Sequence, residues 1–100
     1  MAERQPAFFD ALQRYDPEFY KAVIPLREKA KAPGSLDAKT KTLISLALDA
    51  VSGANHGVKN LAKQARALGA AEDEIREVMR LVSSVKVNQA LATAQSAFED

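Results

Sequence analysis

Apolar residues recur at three- and four-residue intervals along almost the whole chain, and no stretch alternates apolar and polar positions as a half-buried strand does. Phe8, Phe9, Leu12 and Tyr15 predict a short first helix after Pro6. Asp16-Pro17 reads as the start of a second, an N-cap acceptor followed by proline at the first helical position. Phe19, Tyr20, Val23, Ile24 and Leu26 form its apolar side, and Pro25, inside that pattern, predicts a kink or an end near Ile24. Lys31 to Ser35 is the clearest loop.

Asp37 is placed to cap a third helix running to about Ser52, where Ser52-Gly53 breaks the pattern. A fourth helix is expected from near Asn55 to Gly69, with Arg66 in its last turn opposing the negative end of the dipole. Glu72, Asp73 and Glu74 open a fifth with the right charge sign, and Ile75, Val78, Met79, Val82 and Val85 form its stripe. Ser83-Ser84 reads as an interruption, after which a last helix carries Val87, Leu91, Ala94 and Phe98 on one face. Its Ala90, Ala92, Ala94 and Ala97 allow another backbone to approach closely. The expected fold is an all-α bundle of about five to six helices, with residues 1–35 as an N-terminal helical arm and 36–100 as the main helical domain of one compact whole. Five of the six aromatics lie in the first twenty residues, so the arm is a bulky apolar element; the arm and the last helix either pack on the core or form part of a subunit interface.

Composition narrows the chemistry. Fourteen basic against thirteen acidic residues leave a net charge of +1, which argues neither for nucleic acid nor for an anionic membrane as partner. The longest mostly apolar run, Leu43 to Val51, contains Ser45 and Asp49 and is far too short to span a bilayer. The opening Met-Ala-Glu-Arg-Gln-Pro has no basic and apolar leader pattern, so a cytoplasmic location is expected. There is no cysteine, which removes disulfides, thiolate nucleophiles and zinc–thiolate sites together. With one histidine and no phosphate loop or nucleophile elbow, no metal site and no cofactor are expected.

Three segments together, Leu36-Asp-Ala-Lys-Thr-Lys-Thr-Leu-Ile44, Ala54-Asn-His-Gly57, and Ala65-x-x-x-Gly69-Ala-x-x-x-Glu74-Ile75, resemble the carboxymuconolactone decarboxylase family, which includes the alkylhydroperoxidase D-like proteins. The resemblance runs from about Leu36 to Phe98 and implies an all-helical fold assembled as a homotrimer or homohexamer. The redox branch uses a glutamate, a C-x-x-C at the start of the next helix, and a histidine four residues after the second cysteine. There the helix N-terminus and a nearby base lower a cysteine pKa and the second thiol resolves the oxidised intermediate. On that pattern Thr42 stands at the glutamate, Ala54 and Gly57 at the cysteines, and Leu61 at the histidine. All four positions are vacated, so peroxidase chemistry by that route is rejected. Gly57, Val58, Leu61, Ala65 and Leu68 share one helical stripe, which predicts that the former site has become packing. The lactone-decarboxylating branch carries an R-E-H-E-like segment whose histidine matches His56, while Ala54, Asn55 and Gly57 do not match its flanks and its downstream histidine is Leu61.

Some polar residues remain candidates. Thr42, Ser45, Asp49 and Ser52 share a face of the third helix, and Asp49 lies in an otherwise apolar run, so a buried carboxylate there needs a partner. His56 follows across the Ser52-Gly53 break, making Asp49 and His56 a candidate acid–base pair. Against it stands a solvated Asp49 and a surface His56, which lies beside Asn60 and Lys63 on the polar edge of its helix. Ser45, Lys59, Asn60 and Lys63 are the candidate ligand-binding residues; Lys59, Lys63 and Arg66 form a basic stripe of the kind that is usually just a solvated face. Asn88 and Gln89 can hydrogen-bond across a subunit interface or to a small ligand. Two readings follow: an oligomeric helical scaffold or small-ligand-binding protein, and a thiol-independent decarboxylase- or isomerase-like enzyme acting on a small carboxylate through Asp49 and His56.

Overall fold

In the computed structural model, which describes residues 5–100, the chain is all-α. The N-terminal Met-Ala-Glu-Arg segment lies outside the described residues. Five α-helices and one 3₁₀ turn follow in order, and no strand occurs among the described residues. They fall into two units, residues 1–34 and 35–100.

The first unit is a pair of helices, α1 (Ala7–Tyr15) and α2 (Pro17–Lys31). The Asp16 carboxylate accepts the Phe19 N–H at 3.1 Å, so the cap and the proline at the first position start α2 as expected. Phe8 and Phe9 stack in a tilted pair with centroids 4.8 Å apart, and the Arg27 guanidinium lies 5.3 Å from the centre of the Phe9 ring. The Tyr20 hydroxyl reaches the Gln5 side chain at 3.2 Å. Of the two outcomes expected at Pro25, a kink or an end, the end does not occur: α2 runs through Pro25 to Lys31. Pro25 and Lys21, whose carbonyl loses its helical donor, both face solvent, where water can take the missing bond.

The second unit is built around α3 (Ala38–Ser52), which packs on both α4 (Asn55–Ala67) and α5 (Glu72–Ala94); the 3₁₀ turn Gln95–Phe98 follows α5. Its start and stops obey the local chemistry. Asp37 accepts the Thr40 N–H at 2.7 Å and caps α3. Gly53, at φ 76°, ends α3 in a turn that returns the Ala54 N–H to the Asp49 carbonyl at 2.9 Å. Gly69, at φ 94°, ends α4 the same way, with the Ala70 N–H on the Ala65 carbonyl at 2.9 Å. Both are Schellman closures, which need the left-handed conformation that glycine adopts without a Cβ penalty. The second brings Ala65 and Ala70 into the core with Leu46 and Thr42.

Helix α5 departs from expectation in one respect. Ser83-Ser84 does not divide it, and the two predicted segments are one helix of 23 residues. The Ser83 hydroxyl bonds back to the Met79 carbonyl at 2.9 Å, a local contact that satisfies the side chain without breaking the ladder. At the other end Glu74 accepts the Ala71 N–H at 2.9 Å and pairs with Lys39 at 3.1 Å, pinning the start of α5 to the start of α3. Arg66 grips Glu72 at 2.7 and 3.0 Å across the α4–α5 turn.

These contacts fix the sign of the acid response. The Thr40 hydrogen bonds hold Asp37 below its ordinary value, the Arg66 hydrogen bond does so for Glu72, and the Ala71 N–H followed by Lys39 does so for Glu74. A carboxylate lowered in the folded state contributes stability that is present above its unfolded pKa and lost as pH falls through the folded one. Denaturant midpoints are therefore expected to hold near neutrality and fall below about pH 4.5. Asp37→Asn/Glu72→Gln/Glu74→Gln should flatten that fall. An undiminished acid transition in the triple variant would assign it to other carboxylates.

Candidate functional site

The end of α3 and the start of α4 bring together most of the residues singled out in the sequence. The Schellman turn at Gly53 folds α4 back on α3, so the last turn of one helix meets the first turn of the other. Asp49 lies in that last turn and is half-buried, and it ties the junction twice. Its carbonyl takes the Ala54 N–H, and its carboxylate lies directly against Gly57. A Cβ built on Gly57 would overlap the Asp49 Oδ2 and stand 2.8 Å from its Cγ, closer than non-bonded carbons approach. The side chain of Asp49 therefore occupies the space that any side chain at position 57 would need.

This placement is electrostatically sound. Ala54 gives α4 no side-chain cap, and the first turn of a helix carries unpaired N–H groups and the positive end of the dipole. A carboxylate brought to it from another helix is favourable there. The same charge is unfavourable at the C-terminal end of α3, where no basic residue accompanies it.

The other residues that the resemblance set against the redox pattern are placed as follows. Thr42 is buried at 8% exposure, and its hydroxyl is committed to the Ala38 carbonyl at 2.8 Å, so it is a satisfied core polar group. Leu61 is half-buried on the same side of α4 as Ala65, whereas Ala54 is exposed in the turn. None of these side chains is a thiol, and the Thr42 hydroxyl is already engaged with its own helix.

His56 is exposed in the first turn of α4, and among the described residues no hydrogen bond or ion pair joins it to Asp49. Lys59, Asn60 and Lys63 are exposed along α4, while Ser45 is half-buried on α3; no such bond links Ser45 with any of the three. Two open grooves lie instead on α5, one lined by Ser83, Ser84, Val87 and Asn88 with Met79 and Arg80, the other by Lys86, Gln89, Ala90, Thr93 and Ala94. The Asp49–Gly57 contact was not foreseen from the sequence. Its only trace there was a glycine in the first turn of a helix, a costly residue that demands a reason.

Residues 17–100 match the carboxymuconolactone decarboxylase family, a span that begins at α2 and so extends beyond the Leu36–Phe98 segment that carried the resemblance. The chain is also 36% identical over 83 residues, covering 82% of its length and 78% of the relative's, to the uncharacterized protein MJ1511 of Methanocaldococcus jannaschii. The chain, which has no cysteine, belongs to the carboxymuconolactone decarboxylase family.

Proposed function

We propose that this chain is a non-redox member of its family, a self-assembling helical scaffold able to present a small-ligand site, in which the former reaction centre serves as packing. The observation that carries the reading is the Asp49 carboxylate lodged over Gly57. A thiol chemistry needs a sulfur atom free to approach substrate, and the second cysteine position here has neither the atom nor the room. The sparse burial of the α3–α5 unit supports assembly. Leu46 and Ala65 are fully enclosed, whereas Leu48 on the same helix as Leu46 is 63% exposed and Leu81 on α5 is 67% exposed.

The reading is tested by two measurements on the purified chain. Hydroperoxide consumption with a dithiol reductant should equal the protein-free rate; turnover abolished by a point substitution would overturn it. Light scattering should give a multiple of the 10.8 kDa chain mass, in keeping with the family's trimers or hexamers. A monomer at tens of micromolar would remove the scaffold.

The Asp49 and His56 enzyme reading draws on one observation, the half-buried carboxylate beside the first turn that carries His56. It requires the His56 ring resonances to respond to Asp49→Asn across a pH series, and both Asp49→Asn and His56→Gln to abolish turnover of a small carboxylate. Silence in the ring resonances would leave the scaffold reading alone.

A further inference from the structure

From Val87 to Phe98 the chain carries no charged residue, and every one of these residues is exposed, on all sides of the helix and through the 3₁₀ turn. Val87, Leu91 and Ala94, spaced four and three residues apart, make one apolar stripe on α5, with Leu91 65% exposed, and Phe98, 90% exposed, follows four residues on in the 3₁₀ turn.

We propose that this stripe is a two-fold interface with the same segment of a second copy, the two running antiparallel. The proposal rests on the self-assembly reading and adds to it the face, the direction and the symmetry. Three features select a second copy as occupant. An uncharged surface meets itself without like-charge repulsion. Pairing about the midpoint of the stripe sets Leu91 against Ala94 and Val87 against Phe98, so a larger side chain faces a smaller one in each pair, as close helix packing requires. Charge returns only at the two ends, as Lys86 before the segment and Glu99 and Asp100 after it. Antiparallel pairing brings the positive end of each copy beside the negative end of the other, whereas parallel pairing would oppose like charges.

An isologous face has a consequence for stoichiometry. A two-fold contact is closed by pairs, so the subunit number must be even. Of a trimer and a hexamer, only the hexamer accommodates it, as two trimers joined across these helices or three dimers.

The absence of native cysteine makes the test direct, because an introduced cysteine is the sole thiol. Helix axes packed at about 8–10 Å place facing backbones within disulfide reach. Leu91→Cys and Ala94→Cys chains, co-expressed with distinguishable tags and oxidised, should form the mixed dimer in preference to either self-dimer. Self-dimers alone would overturn the antiparallel direction, and no cross-link in an assembled protein would overturn the face. Leu91→Arg, at an exposed position that leaves the helix content by circular dichroism unchanged, should halve the mass of the assembly or raise its dissociation constant at least about tenfold. An assembled wild type with an odd subunit number, or one indifferent to Leu91→Arg, overturns this interface and leaves the scaffold standing. A monomeric wild type overturns both.

Discussion

Leu46→Ala should lower the stability of the folded chain by about 2–5 kcal/mol, the range for deleting a buried leucine side chain. Leu46 is the one large side chain fully enclosed among the described residues, and it projects from the helix that packs on both α4 and α5. The deletion removes the transfer free energy of the buried carbons and leaves a cavity that neighbouring helices can only partly close. A domain of this length is stable by about 5–15 kcal/mol, so the loss is a large share of the total. The α3–α5 unit has few other enclosed residues to absorb it: Ala65, Ala70 and Thr42 are small, and Thr42 is held by its bond to Ala38. Leu48→Ala, two residues on in α3 and 63% exposed, should cost less than about 1 kcal/mol in the unassembled chain. Urea denaturation at low protein concentration separates the two. Equal losses would mean that Leu46 is not the centre of the core.

Features set by residues close in sequence were legible before the structure. Asp16 and Asp37 cap the helices they precede, and Gly53 and Gly69 end theirs, because each acts within a few residues on its own backbone. The same local reasoning overreached in allowing an end at Pro25 and an interruption at Ser83-Ser84, where the helix runs on. In one case the bereft carbonyl faces water; in the other the hydroxyl turns back on its own helix. The candidate site was legible in part. The family resemblance set Thr42, Ala54, Gly57 and Leu61 against the redox pattern, and the apolar run around Asp49 pointed to its partial burial. What spacing cannot supply is the distance between two helices after folding, and the Asp49–Gly57 contact is of that kind. Asp49 was paired in sequence reasoning with His56, a residue type that suggests chemistry, whereas the folded chain sets its carboxylate against a residue with no side chain. The ion pairs Lys39–Glu74 and Arg66–Glu72 were missed for the same reason.

Gly57→Ala should destabilise the chain by about 1–3 kcal/mol, the range for forcing atoms into occupied space, although glycine to alanine inside a helix ordinarily stabilises by about 1 kcal/mol. The added methyl meets the Asp49 carboxylate, and the whole carboxyl group must move because its Cγ too stands 2.8 Å away. Asp49 must leave its rotamer and carry its charge away from the first turn of α4. Removing the obstacle reverses the sign: in an Asp49→Ala background, Gly57→Ala should stabilise, since only the helix preference of alanine remains. The double-mutant cycle should yield a coupling of about 0.5–3 kcal/mol, as expected for groups in direct contact. Independent effects in the cycle would mean that the carboxylate does not hold this position in solution, and the filled-site reading would lose its support. The same geometry governs any return of sulfur. Gly57→Cys carries a Cβ to the same point, so restoring cysteines at Ala54 and Gly57 should yield a thiol pair in a folded protein only when Asp49 is shortened as well. Comparing Ala54→Cys/Gly57→Cys with and without Asp49→Ala, by thermal melting and by thiol titration of the folded state, reads that requirement directly. Equal stability of the two proteins would show that position 57 was open to a side chain, and that the loss of the cysteines left the site empty rather than filled.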